Sequence, residues 1–444
     1  MATAAPPHTI TRYETFAWFK NFFVVCVGGF CCVWGGLVTV AAWQDDLTIG
    51  DATVTSGEGW KPLKIIQVSA GRNTSGGLDE NGDFWGWGAE ECAHELSTGA
   101  VYGMRKAVTG IHITQIGVEE SNTVLLDSTG QAWICGDSYQ GILGDGKRVE
   151  TQSYVHDRVT KVVGGHKFIQ VAAGGLRTFA IDKDHKLWGW GSTHGGRLGT
   201  LCPDQPNSQY AEGCSTPVQI PIKNQAGADM NIMKLFVGSE RAFAIDEDGN
   251  TWGWGWNLSN AITGTTNSDN IWQPRLIDET AKFVEIATGL EHTVAIDKQG
   301  NLWGWGYNRD GQLGLGDPDK TGIYTYKQPT RIDGGRTYTH VAAGNNHTFA
   351  ISTDGSTYAF GSNNNGQLGV GDKTNRYTPT LVLGGHKFTQ LEVGEYHNLA
   401  IDTTGQVWTW GTSYAMGLGN DEASKDQLEP VKVLIEKPLR QVRP

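Results

Sequence analysis

Hydrophobic and polar positions in this chain follow a pattern that returns about every 50 residues. The clearest unit starts at Phe283 and reads FVEIATGLEHTVAIDKQGNLWGWGYNRDGQLGLGD. Its short apolar run is followed by Asp-x-x-Gly, a turn signal, and then by Trp-Gly-Trp-Gly, in which Trp303 and Trp305 share one face of a strand. The pattern predicts short β-strands joined by tight turns. It also predicts that the apolar strand before the Asp-x-x-Gly turn is buried on both faces.

Seven copies of the unit follow one another between residue 63 and the C-terminus. Small antiparallel sheets that each bury large aromatic side chains are the units of a β-propeller, and closing the ring removes long exposed edges. We therefore predict an all-β, seven-bladed propeller over residues 63–444. Its blades are predicted to pack through one aromatic position: Trp87, Trp190, Trp254, Trp305, Phe360 and Trp410, with Cys135 at the same position of the second copy. Lys437–Val442 is similar to Lys61–Val68, so either end of the repeats is a candidate for the strand that closes the ring.

The N-terminal part of the chain has a different pattern. From Phe22 to Trp43 there are 22 residues without a formal charge. As a helix this stretch would extend roughly 33 Å, enough to cross a hydrocarbon core of about 30 Å. The sequence therefore predicts a transmembrane helix, or uncleaved signal anchor, at 21–43, between a short cytoplasmic tail at 1–20 and a linker at 44–62.

The charges beside this stretch predict its orientation. Arg12 and Lys20 precede it, and Asp45 and Asp46 follow it. By the positive-inside rule the N-terminus is cytoplasmic, and the propeller lies on the extracytoplasmic side, which is periplasmic, lumenal or extracellular. The alternative is a signal peptide cleaved after Ala42.

Small residues in the predicted helix suggest a contact with another membrane helix. Two glycine pairs seven positions apart fall near one helix face, where they would let two backbones approach closely. These are Gly28, Gly29, Gly35 and Gly36. Glycine is also simply tolerated in membrane helices, which is the alternative interpretation.

Charge and composition narrow the classes of partner. The chain has 35 Lys and Arg against 47 Asp and Glu, a formal charge of −12. This balance argues against nucleic acid as a partner, because phosphate binding needs clustered basic residues. Its 61 glycines also disfavour long helices after the N-terminal stretch.

The complete motif is Gly-x-x-His-Thr-x-Ala-Ile-Asp-x-x-Gly-x-x-Trp-Gly-Trp-Gly followed by Asn-x-x-Gly-Gln-Leu-Gly, and it resembles the regulator of chromosome condensation repeat. The match is strongest at Gly289–Asp317 and Gly344–Asp372. The resemblance implies a seven-bladed propeller. The family's namesake is a guanine-nucleotide exchange factor that binds chromatin, and other relatives are secreted enzyme inhibitors or light sensors. Chromatin docking requires basic segments, which this acidic chain does not show. The light sensors' Gly-Trp-Arg-His-Thr pattern is also absent, the nearest match being Gly175-Leu-Arg-Thr.

One position of the repeat places polar side chains around the ring, three residues after the repeat glycine. It holds Thr74, Asn122, Arg177, Arg241, His292, His347 and His397. These residues would either form a cationic mouth whose histidines titrate near neutral pH, or serve the packing of the blades. We favour the packing role, since the position precedes a buried strand.

No catalytic motif stands out in the sequence. There is no nucleophile elbow, phosphate loop or His-Glu-x-x-His pair. Asp182–Asp184 and Asp246–Gly249 resemble calcium loops but lack the further ligands, and they fit hairpin turns. We therefore predict no catalytic residue, no cofactor, no metal site and no small-molecule ligand.

Two features of the loops suggest where function lies. Cys202 and Cys214 bracket a polar insertion and are predicted to form a local disulfide, which fits an oxidising compartment. Four aromatic residues lie outside the blade-packing positions and are candidate partner contacts: Tyr139, Tyr210, Trp256 and Trp272.

The sequence thus predicts a membrane-anchored, extracytoplasmic protein–protein interaction module that is not an enzyme. We expect an accessory or structural subunit of a larger membrane complex, whose partners are other proteins and the membrane through one helix. The alternative is a secreted binder or enzyme inhibitor. A guanine-nucleotide exchange factor and a propeller enzyme are less favoured, and carboxylates clustered in the central channel would be the sign of the enzyme.

Overall fold

The computed structural model divides the chain into two compact units, Leu63–Pro438 and Met1–Pro62 with Leu439–Pro444. It describes residues 24–27, 30–33, 47–49, 52–54, 63–72, 74–88, 101–108, 110–119, 122–147, 159–203, 213–262, 269–277, 282–332, 335–395, 397–412 and 425–433.

The N-terminal unit differs from the predicted transmembrane helix. Its described residues form two antiparallel strand pairs: β1 (Val24–Val27) with β2 (Phe30–Val33), and β3 (Leu47–Ile49) with β4 (Ala52–Val54). No helix within the described ranges is long and apolar enough to cross a membrane. The local sequence accounts for the difference. β1 and β2 contain four valines and one phenylalanine among their eight residues, which favour strands, and two glycines stand between them in the sequence, a pair typical of two-residue hairpin turns.

The larger unit contains seven four-stranded antiparallel sheets within the described residues, each built from consecutive strands. The first three blades are β5–β8 (Ile65–Ala70, Thr74–Asp79, Phe84–Gly88, Val101–Val108), β9–β12 (Ile113–Val118, Asn122–Asp127, Ala132–Gly136, Thr160–Lys161) and β13–β16 (Phe168–Gly174, Arg177–Asp182, Leu187–Gly191, Cys214–Gln219). The next two are β17–β20 (Ile232–Val237, Arg241–Asp246, Thr251–Gly255, Ile271–Leu276) and β21–β24 (Phe283–Thr288, His292–Asp297, Leu302–Tyr307, Thr325–Arg331). The last two are β25–β28 (Tyr338–Ala343, His347–Ser352, Thr357–Gly361, Arg376–Leu381) and β29–β32 (Phe388–Val393, His397–Asp402, Val407–Gly411, Gln427–Lys432).

Helical structure in the described part of this unit is limited to short turns. These are one α-helical turn, α1 (Pro318–Thr321), and three 3₁₀ turns at His194–Gly196, Leu258–Asn260 and Leu383–Gly385.

The sheets are arranged as the blades of a propeller. The first strand of each blade lies beside the first strand of the next, and β29 of blade 7 lies beside β5 of blade 1, so the first strands surround a central channel. The seven-bladed propeller predicted from the sequence is confirmed. Neither end of the described chain lends a strand to the other end, because blades 1 and 7 each consist of their own four consecutive strands.

Each blade is built around its second strand. β22 is buried along its whole length and pairs with β21 on one side and β23 on the other. Gly304 lets side chains pack closely against β23, since a Cβ there would lie 3.1 Å from Leu313 Cδ2 and 3.1 Å from Ile332 Cδ1. On the other face the ring of Trp305 is fully buried, and its Nε1 donates to the carbonyl oxygen of Ala261 in blade 4. The Trp-Gly-Trp-Gly strand therefore joins one blade to the next.

Candidate functional site

The polar position at the start of each second strand is buried in all seven blades. Each of these side chains is at most 4% exposed: Thr74, Asn122, Arg177, Arg241, His292, His347 and His397. They lie where the loop between the first and second strands ends, and all seven bond to the following blade, Thr74 through its Oγ1, which donates to the carbonyl oxygen of Glu119 at 3.2 Å.

Three histidines of this set link neighbouring blades through hydrogen bonds. His292 Nε2 lies 2.9 Å from Thr348 Oγ1, His347 Nε2 lies 3.2 Å from Asn398 Oδ1, and His397 Nε2 lies 2.9 Å from Ser75 Oγ. The last of these joins blade 7 to blade 1. Burial lowers the pKa of His292 to about 3 and the pKa values of His347 and His397 to about 4, so all three are neutral at physiological pH. The geometry supports a packing role and not a cationic mouth.

Asparagine and arginine make the corresponding links elsewhere in the ring. Asn122 Nδ2 donates to Thr178 Oγ1 at 3.0 Å. Arg177 donates to the carbonyl oxygen of Ser239, and Arg241 donates to the carbonyl oxygens of Gly289 and Leu290 at 2.7 and 2.6 Å. Burial lowers the pKa of each arginine to about 10, which leaves both charged.

The repeat glycine is needed because the histidine and the next blade occupy the space beside it. A Cβ on Gly289 would lie 2.2 Å from His292 Cε1 and 2.3 Å from the carbonyl oxygen of Gly344. Real Cβ atoms do not approach that closely, and at Gly344 a Cβ would meet His347 Cε1 at 2.3 Å in the same way. The Gly-x-x-His spacing is therefore a consequence of close packing between blades.

A second ring of polar side chains lines the central channel at the third residue of each first strand. Its members are Gln67, Gln115, Gln170, Lys234, Glu285, His340 and Gln390. Each bonds to the backbone of the first strand in the following blade. Gln67 Nε2 donates to the Ile116 carbonyl oxygen at 3.0 Å, and Gln390 Oε1 accepts from the Val68 amide at 3.1 Å, which again joins blade 7 to blade 1. These side chains therefore provide hydrogen-bond partners for the backbone groups on the inner edges of the sheets.

Charged residues replace glutamine in this ring only in blades 4 to 6. His340 Nδ1 lies 2.6 Å from Glu285 Oε1, and its Nε2 lies 2.8 Å from the carbonyl oxygen of Leu391. Both neighbours are acceptors, so both ring nitrogens carry protons. Burial opposes that charge, but the hydrogen bond and the charge of Glu285 outweigh it and raise the pKa of His340 to about 9.

The channel contains a cavity of about 490 Å³, whose lining includes Glu285 and Glu392. Carboxylates in the channel were the expected sign of a propeller enzyme. Glu285 Oε1, however, accepts from both His340 and the Val341 amide, at 2.6 and 3.0 Å. Burial raises the pKa of Glu392 although the charge of His340 acts against it. Glu285 is therefore occupied in holding a half-buried imidazolium, Glu392 Oε1 accepts from Gln390 Nε2 at 3.3 Å, and no group of His, Cys, Asp and Glu in the described ranges is arranged to hold a metal ion.

The two candidate calcium loops are hairpin turns. Asp246 Oδ1 accepts the backbone N–H groups of Asp248 and Asn250 at 3.0 and 2.8 Å, and its Oδ2 accepts Trp252 Nε1–H at 2.8 Å. Asp182 makes the same contacts in blade 3, including Trp188 Nε1–H at 2.7 Å. Both carboxylates are used within the turn.

Two of the four candidate contact aromatics lie against one loop of blade 3. The guanidinium of Arg197 lies 5.2 Å from the centre of the Trp256 ring, and a Cβ on Gly196 would lie 3.1 Å from Trp272 Cδ2. Trp272 is 42% exposed and Trp256 is half-buried. Tyr139 is half-buried in blade 2, away from this pair in the chain, and Tyr210 lies outside the described residues.

The remaining predicted site residues are placed as follows. Cys202 and Cys214 are joined by a disulfide with a Cα–Cα separation of 5.4 Å, and both are buried. Cys135 is also disulfide-bonded. The aromatic side chains Trp87, Trp190, Trp254, Trp305, Phe360 and Trp410 are all 0% exposed. Gly28, Gly29, Gly35 and Gly36 lie outside the described residues.

Sequence reasoning missed the channel ring and the exposed side chains at one end of the channel. Ile66, Ile169 and Met233 are each about half exposed, and they share the second position of a first strand. The signal was present in the aligned repeats, where this position holds either an aliphatic residue or threonine. This signal is hard to recognise in a single repeat, where the position is one exposed residue among buried ones.

Comparison with known proteins agrees with this geometry. The profile of the RCC1-like domain matches residues 98–443. The ultraviolet-B receptor UVR8 of Arabidopsis thaliana is 26% identical over 330 residues, which are 72% of this chain and 70% of that protein. The E3 ubiquitin-protein ligase HERC2 of Mus musculus is 25% identical over 307 residues, 66% of this chain but 6% of that protein.

A solved structure shows the same fold. The crystal structure of Prp20p from Saccharomyces cerevisiae matches with a TM-score of 0.66 at 21% identity, covering 84% of this chain and 87% of that chain. Since the profile covers well over half of the sequence and the seven blades carry the repeat, the chain belongs to the RCC1-like domain family.

Proposed function

We propose that this propeller is a protein-binding module that works in an oxidising compartment on the far side of a membrane. One observation carries the proposal. The polar side chains that the repeat places in the ring and the channel are occupied in bonds between blades, whereas exposed apolar side chains lie on loops, on outer strands and at the end of the channel. Such a surface on a rigid scaffold fits protein binding better than chemistry.

The relatives support protein binding as the general function. Prp20p, which shares the fold, binds Gsp1p and histones. Exchange-factor activity is the second candidate within this family, and the far side of a membrane is the wrong compartment for a cytosolic GTPase.

The disulfides support the compartment. Cys202 and Cys214 close a short insertion, and Cys135 is also oxidised. Disulfides persist in secreted, lumenal and periplasmic proteins and are rare in the reducing cytosol. The uncharged stretch at the N-terminus fits the same location, through an anchor or through a leader that directs export.

Our finer proposal is an accessory subunit of a larger membrane complex, held at the membrane by residues 21–43. The alternative is a secreted binder whose leader is removed at Ala42. In both cases the propeller binds the partner. The two proposals differ in whether the N-terminal residues are retained, so one experiment distinguishes them.

The test is to isolate the protein from its native membranes in a mild detergent and to measure its intact mass and its assembly. A mass that begins near Met1, together with co-migration in a larger complex, supports the anchored subunit and identifies its partners. A soluble protein that begins at Trp43 supports the secreted binder. A monomer that captures no protein after chemical cross-linking would contradict the proposed function itself.

A further inference from the structure

The segments that join strands at one end of the blades account for the net negative charge of the chain. Each second strand begins opposite the end of the third strand, as His292 and Gly306 show in blade 5. The loops between first and second strands and the connections between third and fourth strands therefore start and end at the same side, which we call the loop-side face. The loops are residues 71–73, 119–121, 175–176, 238–240, 289–291, 344–346 and 394–396, and the connections are residues 89–100, 137–159, 192–213, 256–270, 308–324, 362–375 and 412–426.

The charge of these segments differs from that of the rest of the chain. They contain 22 of the 47 acidic residues but 9 of the 35 basic ones, so the remainder of the sequence is nearly balanced. Three arginines begin a strand at this side, Arg177, Arg241 and Arg376, and adding them leaves 22 acidic residues against 12 basic ones. The excess of carboxylates favours a basic partner.

Basic residues in these segments are already paired with carboxylates of the same segments. The pairs are Arg72 with Glu395, Lys147 with Asp145, Arg197 with Glu240, Lys320 with Asp317, and Lys373 with Asp426. Asp319 differs, because its Oδ1 accepts from the hydroxyl of Tyr324 at 2.8 Å, a neutral partner that leaves the charge of the carboxylate in place. A basic partner would therefore meet carboxylates that outnumber the cations beside them.

Apolar side chains are exposed on the loop-side face in blades 4 and 5. Trp272 is 42% exposed near the start of β20, and Ile323 and Tyr324 are 44% and 42% exposed just before β24. The 3₁₀ turn Leu258–Asn260 of blade 4 contacts β24, so the segments of the two blades are neighbours. We call Trp272, Ile323 and Tyr324 the loop-side apolar residues.

Packing does not require a tryptophan at the position of Trp272. A Cβ on Gly196 would lie 2.8 Å from Trp272 Cα, and a Cβ on Gly141 would lie 2.6 Å from Ser215 Cα, so the two glycines lie against the same position of successive blades. The fold therefore accepts serine where blade 4 has an exposed tryptophan. Exposed Trp and Tyr side chains on a rigid scaffold are typical anchors of protein interfaces.

We propose that the loop-side face of blades 4 and 5 binds a basic segment of a partner protein. The loop-side apolar residues would contact its apolar side chains, and Asp269, Asp310 and Asp319 would attract its lysines or arginines. The inference rests on the proposed function and names the chemistry of the partner. Long basic side chains suit such a surface, because their alkyl stems pack against aromatic rings while their charged ends reach carboxylates. A nucleic acid or a membrane of acidic lipids has the same sign of charge as this face and would be repelled.

The test uses the full-length protein and a fluorescein-labelled peptide of eight Lys with one Leu and one Phe at its centre. Binding is followed by fluorescence anisotropy at low and high salt. The charge variant is Asp269→Asn with Asp310→Asn and Asp319→Asn, and Asn365 shows that the repeat tolerates asparagine at the position of Asp310. The apolar variant is Trp272→Ser with Ile323→Ser, which installs the residue of blade 3 at the first of these positions.

Each variant has a matched control elsewhere on the propeller. Glu80→Gln with Asp184→Asn and Glu247→Gln removes the same number of charges from exposed turns at the opposite side. Ile66→Ser with Leu381→Ser removes two exposed apolar side chains that lie outside the loop-side face. The thermal midpoint of every variant shows whether it is folded.

We expect the charge variant and the apolar variant each to bind the peptide about tenfold more weakly than the wild type, with both controls at wild-type affinity. High salt should weaken binding to the wild type, and a peptide with Glu in place of Lys should not bind. An equal loss of affinity in the charge variant and its control would show attraction by overall charge alone and would overturn the inference.

Two further outcomes would also overturn it. One is an apolar variant that binds the peptide as tightly as the wild type, and the other is failure of the peptide to bind at all. If the native partner is still cross-linked to the charge and apolar variants, the protein-binding function stands and only this assignment of the surface fails.

Discussion

The indole Nε1–H of Trp303 donates to Asp297 Oδ2 at 2.9 Å, six residues earlier in the chain. The same bond recurs in six blades, at distances from 2.7 to 3.0 Å. The pairs are Asp79 with Trp85, Asp127 with Trp133, Asp182 with Trp188, Asp246 with Trp252, Asp297 with Trp303, and Asp402 with Trp408. Blade 6 has Ser352 and Tyr358 at these two positions, so both partners differ together. The six-residue spacing between Asp and Trp in the repeat therefore allows the two side chains to form a hydrogen bond across the turn.

Our first prediction is that Asp297 and Trp303 are energetically coupled. Replacing Asp297→Ser removes the acceptor of the indole and of two backbone N–H groups, at Gln299 and Asn301. We expect a loss of about 2 kcal/mol of unfolding free energy. Adding Trp303→Tyr, which recreates the pair of blade 6, should cost about 1 kcal/mol less in this background than in the wild type. Urea denaturation of the four proteins measures the difference.

The control for this cycle is Trp408→Tyr, which lies in blade 7 and does not contact Asp297. Its cost should be the same with and without Asp297→Ser. Additive costs for Trp303→Tyr as well would show that the hydrogen bond does not contribute to stability.

The second prediction concerns the junction of blades 7 and 1. His397→Ala removes the contact with Ser75 Oγ and leaves a cavity between the two blades, at a cost of about 2–3 kcal/mol. His347→Ala should cost a similar amount, but it acts between blades 6 and 7. Hydrogen exchange measured by mass spectrometry should rise first in β5, β6 and β29 for His397→Ala.

An exposed histidine is the control for this pair. His194→Ala should change neither the unfolding free energy nor the exchange of β5. Identical exchange patterns for His397→Ala and His347→Ala would contradict the prediction that each histidine stabilises its own junction between blades.

The third prediction is that stability is greatest near pH 6.5 and falls on both sides. Burial lowers the pKa values of His292, His347 and His397 to about 3, 4 and 4. Below pH 6.5 the unfolded chain therefore binds three protons that the folded chain does not, and stability falls as the pH falls toward 4. The pKa of His340 is raised to about 9, so its contribution is complete below pH 6.5 and is lost as the pH rises through 9.

One variant separates the two sides of this profile. His340→Gln installs the residue that Gln67, Gln115, Gln170 and Gln390 provide at the same position in other blades. It should remove the decline between pH 6.5 and 9 and leave the acidic decline unchanged. Urea denaturation at a series of pH values measures both slopes, and an unchanged alkaline slope would contradict the role given to His340.

The fourth prediction is that the Cys202–Cys214 disulfide supports stability but not the fold. Its sequence separation is 12, so its loss should cost about 3 kcal/mol at most. Cys202→Ser with Cys214→Ser should lower the thermal midpoint and retain the far-UV circular dichroism of the wild type. Peptide mapping without reductant should recover the two cysteines in one linked peptide, and two separate peptides would contradict the bond.

Much of the propeller was predictable because the strands and turns of each blade are determined by residues within a single repeat. The turn after the second strand follows from Asp297 and Gly300, whose φ of 81° suits glycine, and the aromatic face follows from Trp303 and Trp305. Copies of one pattern also fix the number of blades, which no single copy does. These features are local, so periodicity and turn chemistry reveal them.

The candidate surfaces were harder to predict because they arise only when blades meet. The polar residue at the third position of each first strand is visible in the sequence, but its hydrogen-bond partner lies in the next blade, 49 residues away for Gln67 and Ile116. The exposure of Ile169 and Met233 likewise depends on the channel that seven blades enclose. For the N-terminal stretch, length and lack of charge favour a membrane helix, whereas its valines and the glycine pair that follows β1 favour strands.

Because each described blade is a continuous segment of chain, the order of the blades is separable from their arrangement in space. Joining the ends of the repeat region and opening the chain between two other blades would break no sheet. Circular permutants cut at any blade boundary should therefore reach the same native structure. By the same reasoning, duplication or deletion of one gene segment would add or remove a whole blade, which gives this architecture a simple route to rings of different size.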